Sequence, residues 1–313
     1  MAAWKILLTD GLEQNGQSIL RGSASVDDRV GISADELLQI VGEYDALIVR
    51  GRTKVIPAVF AAAPRLKVVG RSGVGVDNID LNAATEHKVI VVNAPIATSV
   101  SVAELTLGLM LALIRDIPRG EAGLKAGKWF KKEMEGVELF NKTIGIVGYG
   151  RIGALVGQRA AAFGMKVLGY DPLLSAEEII KRGGKPVSLA ELYAQSDYIT
   201  LHVPITTESR GMLNQAAFNA MKDNVRIICA ARGGIIDETA LLAALNSGKV
   251  AGAALDVFAT EPPGLTELTS HPKVIGTPHI GAQTVEAQAR AAEDIATEVL
   301  AALEGKPLRW KVA

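Results

Sequence analysis

One hexapeptide restricts the fold of this 313-residue chain more than any other feature: Gly148-Tyr149-Gly150-Arg151-Ile152-Gly153. Alone, a G-x-G-x-x-G run says little. Here it follows a β-branched run, Thr143-Ile144-Gly145-Ile146-Val147, and opens a helix-patterned stretch reaching Phe163. A second strand pattern, Lys166–Tyr170, leads into Asp171, which stands 18 residues beyond Gly153. Strand, glycine turn, helix, strand and acid form the context of a dinucleotide-binding βαβ unit. The first glycine permits the tight turn, the second lets the pyrophosphate approach the backbone, and the third lets helix and strand pack closely. The helix N-terminus then offers free N–H groups to the phosphates. Asp171 suits a ribose 2′-hydroxyl and would repel a 2′-phosphate, and Pro172-Leu173-Leu174 supplies no cation for one. NAD is expected rather than NADP.

The rest of the chain is consistent with that unit. Strand patterns fall at Lys5–Thr9, Ala46–Val49, Leu66–Val69 and Val89–Val92, with helix patterns at Ser33–Val41, Pro57–Ala62 and Asn82–Glu86 between them. Alternation of this kind predicts parallel sheets covered by helices. A long helix is expected from Thr98 to about Ile117, capped by the Ser101/Glu104 pair and ended by Pro118. Gly120 to Asn141 reads as irregular. Beyond it, strand patterns at Thr143–Val147, Lys166–Tyr170, Tyr198–His202, Val225–Cys229, Ala251–Leu255 and Lys273–Ile275 suit a complete six-stranded dinucleotide-binding sheet. An Ala-rich amphipathic helix, Thr284–Leu303, and an apolar-basic tail, Leu308–Val312, close the chain.

Composition excludes several classes. With 33 Lys plus Arg against 34 Asp plus Glu, no charge bias points to nucleic acid or an anionic membrane. The single Cys229 allows no internal disulfide and no Cys-based zinc site, and no metal is expected. This usage fits a reducing, cytoplasmic setting. The longest candidate span, Leu105–Ile114, is uncharged but too short for a bilayer of ~30 Å.

Further residues stand in predicted loops at the carboxyl ends of strands, where open α/β sheets bind ligands. They are Arg232 in Ala230-Ala231-Arg232-Gly233-Gly234, Glu261 in Thr260-Glu261-Pro262, and His279 in Thr277-Pro278-His279-Ile280-Gly281-Ala282. Each alone could be an ordinary paired or solvated residue. Together with the fingerprint, Arg71-Ser72-Gly73-Val74-Gly75-Val76-Asp77-Asn78 and Ser101-Val102-Ala103-Glu104, they resemble the D-2-hydroxyacid dehydrogenases over nearly the whole chain.

The resemblance implies an α/β protein: a Rossmann-type doubly wound parallel sheet plus a flavodoxin-like substrate domain. It places residues 1–97 and 283–313 in the substrate domain and 98–282 in the NAD domain, with the active site in the cleft between them. It implies that Arg232 holds the substrate carboxylate, that His279 exchanges the hydroxyl proton, and that Glu261 supports the imidazole. Cofactor contacts are implied for Gly148, Gly150, Arg151, Ile152, Gly153, Asp171, His202, Val203, Pro204, Ala230, Arg232, Asp256, His279, Gly281 and Ala282. Substrate contacts are implied for Arg50, Arg71, Ser72, Gly73, Arg232 and His279. Cys229, Val74 and Val203 depart from the family pattern, which has Asn at the first of these and, in some members, Thr at the other two.

Arg50, Arg52, Lys54 and Arg71 form a basic set near strand ends, so the 2-hydroxy acid is expected to carry a phosphate as well as a carboxylate. Arg50 and Arg71 are the binding candidates, while Arg52 and Lys54 read as solvated. A reductase of unphosphorylated glyoxylate or hydroxypyruvate, with the same three catalytic residues, is the nearest alternative. An NAD-sensing corepressor resembling the C-terminal binding proteins is a distant one. The mixed run Lys131, Lys132, Glu133 and Glu135 reads as surface. Gly127-Lys128-Trp129 resembles a segment that joins subunits in the family, so a homodimer or higher homo-oligomer is expected. No regulatory amino-acid-binding module is expected after Ala313.

Overall fold

The computed structural model describes residues 4–313. Its chain divides into two compact units: the residues up to Thr98 with Ala282–Ala313, and Ser99–Gly281.

The first unit holds five parallel strands, β1 (Trp4–Leu8), β2 (Ala24–Asp28), β3 (Ala46–Val49), β4 (Val68–Arg71) and β5 (Ile90–Asn93), in the order β2-β1-β3-β4-β5. This is the flavodoxin-like order. β2 carries no strand pattern in the sequence. Its segment, Ala-Ser-Val-Asp-Asp, buries only Ala24 and Val26 at the sheet edge and so lacks a continuous apolar run. The helix Val285–Leu303, capped by the Thr284 side chain, lays Ala292, Ile295, Ala296 and Val299 on the sheet. Gly70 in β4 makes this possible, because a Cβ there would stand 2.6 Å from Val299 Cγ2. The tail returns to the sheet edge: Lys311 bridges Val92 antiparallel, and buried Glu298 accepts hydrogen bonds from Arg309 Nε and from the Arg309 and Trp310 amides.

The second unit holds seven parallel strands: β6 (Thr143–Val147), β7 (Lys166–Tyr170), β8 (Lys185–Pro186), β9 (Tyr198–Leu201), β10 (Val225–Cys229), β11 (Val250–Leu255) and β12 (Val274–Gly276). Their order, β12-β11-β10-β9-β6-β7-β8, is doubly wound about β6 and β9. Six were legible; the seventh, β8, is two residues long, too short for any period to show. Alternation along a strand feeds two cores. In β10, Ile227 packs with Leu192, Phe218 and Leu241, whereas Ile228 packs with Met110, Ile146 and Val156.

Two expectations about the start of this unit fail. The helix Ser99–Ile114 carries Ser101 buried inside it rather than at its cap, and Glu104 instead pairs with Arg159 at 3.2 Å. Pro118 does not end that helix. Asp116, at φ +54°, breaks the chain, and Pro118 lies in the first turn of a new helix, Ile117–Lys125. Gly120 and Gly123 hid this helix in the sequence. Gly123 is needed there, since a Cβ would meet the Phe130 ring at 2.6 Å.

Candidate active site

The glycine turn after β6 takes the shape that its spacing predicts. Gly148 has φ +88°, and a Cβ there would lie 2.5 Å from His202 O. At Gly153 a Cβ would overlap Gly148 O, so both positions exclude side chains. A Cβ at Gly150 would meet nothing within 4 Å, which leaves that stretch of backbone open to a ligand. Gly150 is also the N-cap of the helix Arg151–Ala162 and has no side chain to satisfy its first amides. The open backbone and uncapped amides fit a dinucleotide pyrophosphate.

Tyr149 turns inward. It is fully buried against Gly157, Gly169 and Gly184, and burial pushes its phenol up to about 12. Its amide donates to Asp171 Oδ2 at 2.9 Å and its carbonyl accepts from Arg182 Nη1 at 3.0 Å. Asp171 also accepts from the Leu173 amide at 2.9 Å, so its carboxylate fixes the turn. These supports from Tyr149 and Arg182 were not read from the sequence.

His202, just after β9, places Nε2 3.0 Å from Thr200 Oγ1, while Nδ1 is buried with no hydrogen-bond partner among the described residues. Burial holds its pKa down at about 3, so the ring is neutral across the physiological range. Val203 packs beside the Gly148 position, and Pro204 O accepts from Ser209 Oγ at 2.6 Å.

Adjacent strands β10, β11 and β12 deliver Arg232, Asp256, Glu261 and His279 in the loops that follow them. The Arg232 loop runs against the backbone of Phe258, where a Cβ on Gly233 would overlap Phe258 O. Arg232 Nη1 donates to Ala231 O at 2.7 Å. His279 Nδ1 lies 2.7 Å from Glu261 Oε2, and Glu261 Oε1 accepts from the Phe258 amide at 3.0 Å. With Nδ1–H given to the carboxylate, the neutral imidazole presents the Nε2 lone pair outward. The imidazole is 47% exposed and so open to a reactant.

The turn carrying His279 is itself anchored. His279 has φ +53°, a left-handed conformation costly for a residue with a Cβ. Asp256, 1% exposed, accepts from Thr277 Oγ1 (2.7 Å), the Ile280 amide (2.8 Å) and the Gly281 amide (2.8 Å). Its carbonyl accepts from the His279 amide at 2.9 Å. Asp256, expected only to contact cofactor, thus also holds the turn, and Thr277 joins it there. Cys229 is buried and its thiol is pushed up to about 11, an inert side chain. Ala230 leads from β10 into the Arg232 loop; Ala282 O accepts from Gln288 Nε2 at 2.6 Å.

In the first unit, Val49 and Arg71 are register partners on adjacent strands, so Arg50 follows immediately beside Arg71. Arg71 Nη1 donates to Ser72 O at 3.0 Å, and its guanidinium lies over Gly73, where a Cβ would collide with it. Gly73 thus makes room for Arg71. Arg50 offers a guanidinium with no hydrogen bond or ion pair among the described residues. Arg52 differs from its expectation as a solvated cation. Its Nε, Nη1 and Nη2 donate to Asp10 Oδ1, Ile32 O and Thr9 O at 3.2, 3.0 and 2.9 Å. Lys54 is exposed.

Among the described residues, no cluster of His, Cys, Asp or Glu is placed to hold a metal ion, and no helix is long and apolar enough to cross a membrane.

Residues 107–281 match the family described as D-isomer specific 2-hydroxyacid dehydrogenase, NAD binding domain. The D-3-phosphoglycerate dehydrogenase of Methanocaldococcus jannaschii is 48% identical over 303 residues, covering 96% of this chain and 58% of that protein. This chain spans 56–58% of the length of the curated relatives it matches first. Among solved structures, a glyoxylate reductase from Paecilomyes thermophila superposes with a TM-score of 0.91 at 30% identity, covering 100% of this chain and 99% of that one. The D-lactate dehydrogenase of Aquifex aeolicus, complexed with NAD and lactic acid, gives 0.83 at 31% identity and 96% of both chains.

Proposed function

Because the chain belongs to the D-isomer specific 2-hydroxyacid dehydrogenases, we propose that it oxidises 3-phosphoglycerate at C2 to 3-phosphohydroxypyruvate with NAD, as a D-3-phosphoglycerate dehydrogenase. The observation that carries the reaction class is the 2.7 Å pair of His279 and Glu261 on an anchored, accessible turn. When bound, NAD would take up the hydride leaving C2. The chain's own residues supply the rest. His279 Nε2 accepts the proton of the C2 hydroxyl as the O–H and C2–H bonds break and the carbonyl forms. Glu261 fixes the tautomer and stabilises the imidazolium that results. Arg232 holds the substrate carboxylate and, beside the developing carbonyl, orients it. The proton leaves to solvent from His279, which balances the reaction as one hydride and one proton lost.

Arg50 and Arg71 are assigned to the substrate phosphate. Support comes from the Arg50 guanidinium, which has no partner among the described residues, and from the curated relatives at 45–48% identity. Gly148, Gly150, Arg151, Ile152, Gly153, Asp171, His202, Val203, Pro204, Ala230, Asp256, Gly281 and Ala282 are assigned to the NAD site. The product would enter serine biosynthesis, and the reading includes a cytoplasmic location. Trp129, 76% exposed beside Lys128, is assigned to a contact between two copies of the chain, which sedimentation of Trp129→Ala checks.

Initial rates with NAD over a panel of 2-hydroxy acids test the proposal. Turnover is expected with 3-phosphoglycerate and little with its unphosphorylated counterpart. A preference for glycolate or glycerate would favour the reductase reading. Failure to turn over any 2-hydroxy or 2-keto acid would favour the corepressor.

A further inference from the structure

We infer that Asp10, with Asn78, is a specificity-determining positioning residue: it shapes the turn after β3 so that Arg50 faces the substrate's phosphate. The inference rests on the proposed role of Arg50. β1 and β3 are neighbours, so the segment leaving β1 runs beside the turn leaving β3. Asp10 has a side chain only 4% exposed. Among the described residues, every hydrogen bond to its carboxylate comes from this turn. Oδ2 accepts from the Arg50 amide (2.8 Å) and the Thr53 amide (3.1 Å). Oδ1 accepts from Thr53 Oγ1 (2.6 Å) and Arg52 Nε (3.2 Å).

Asn78 closes the other side. Its Nδ2 donates to Arg50 O at 2.9 Å and to Thr53 O at 2.7 Å. Both peptide groups flanking the Arg50 Cα are therefore fixed by buried side chains, while its guanidinium is left without a partner among the described residues. A loop held only for stability would satisfy its arginine as well, as happens at Arg52 two residues on. Asp10 touches neither substrate nor cofactor in this scheme; it acts through Arg50.

The test uses the full chain and NADH with 3-phosphohydroxypyruvate and with hydroxypyruvate, comparing wild type, Asp10→Asn, Asn78→Ala, Arg50→Ala and the Asp10→Asn/Arg50→Ala double variant. Asp10→Asn should raise KM for the phosphorylated substrate about 10–100-fold, the scale of a lost charged hydrogen bond. Its kcat and its KM for hydroxypyruvate should stay nearly unchanged. On the Arg50→Ala background the same change should add less than about twofold, because the two residues act as one unit. Asn78→Ala should give the same pattern more weakly and serves if Asp10→Asn folds poorly. Equal losses on both substrates, or full multiplicativity in the double variant, would overturn the inference. A wild type with no preference for the phosphorylated substrate would overturn the role of Arg50 instead. In that case amide exchange still decides whether the clamp exists: faster exchange at Arg50 and Thr53 in Asp10→Asn supports it, and unchanged exchange refutes it.

Discussion

The turn after β12 and the turn after β3 are built on the same device and carry different tasks. Each follows a parallel strand, and each is pinned by one buried aspartate, Asp256 or Asp10, that accepts from two backbone amides and a threonine hydroxyl. They differ in what is left over. His279 is strained at φ +53° and its Nδ1 is already held by Glu261. Arg50 has no strain and its guanidinium is unengaged among the described residues. The difference follows from the chemistry assigned to each. A proton acceptor must have its tautomer and direction settled before substrate arrives. An anion-binding fork needs only its base fixed, since the anion itself orders the tip.

The largest effect should come from the strained turn. His279→Ala should lower kcat by roughly 10²–10⁴-fold for every substrate, the usual contribution of a general acid or base. NADH binding, followed by fluorescence titration, should change little. Arg50→Ala should act on one substrate only, lowering kcat/KM for 3-phosphohydroxypyruvate about 10–150-fold, as expected for one lost charged hydrogen bond, and sparing hydroxypyruvate. An equal loss on both would dissolve the contrast between the turns. The matched hydroxyl deletions sharpen it: Thr277→Val should reduce kcat on both substrates, and Thr53→Val should raise KM only for the phosphorylated one, each by about 2–10-fold.

The smallest kinetic effect at neutral pH should belong to His202, whose ring burial keeps neutral down to about pH 3. An unfolded histidine binds its proton near ~6.5. Between those values the unfolded chain holds more protons, so this group makes stability fall as pH drops below ~6.5. Acid titration of unfolding should therefore be steeper for wild type than for His202→Gln; identical slopes would place His202 in water.

The sequence reveals the second unit better than the first for a physical reason. Gly148 and Gly153 are dictated by steric contacts that no other residue satisfies, so their spacing is a direct record of backbone geometry. Arg232, Glu261 and His279, in predicted loops after strands, were legible only together, through the resemblance to the family. Asp10 stands in the same position after β1, yet it reads there only as the charge that ends an apolar run, because its partners are amides of a turn 40 and 43 residues away. Asp256 and Thr277 were obscure for the same reason. Arg50 and Arg52 look alike in sequence and separate only when Arg52 is seen donating to Ile32 O and Thr9 O. β2 and β8 lacked the apolar run that would have announced them.

The most direct test of the account is the ratio of kcat/KM for 3-phosphohydroxypyruvate to that for hydroxypyruvate, measured on the unmodified chain with NADH. Charged hydrogen bonds from Arg50 to the phosphate predict a ratio of about 10–150 or more. A ratio near one, with ordinary turnover of both substrates, would contradict it.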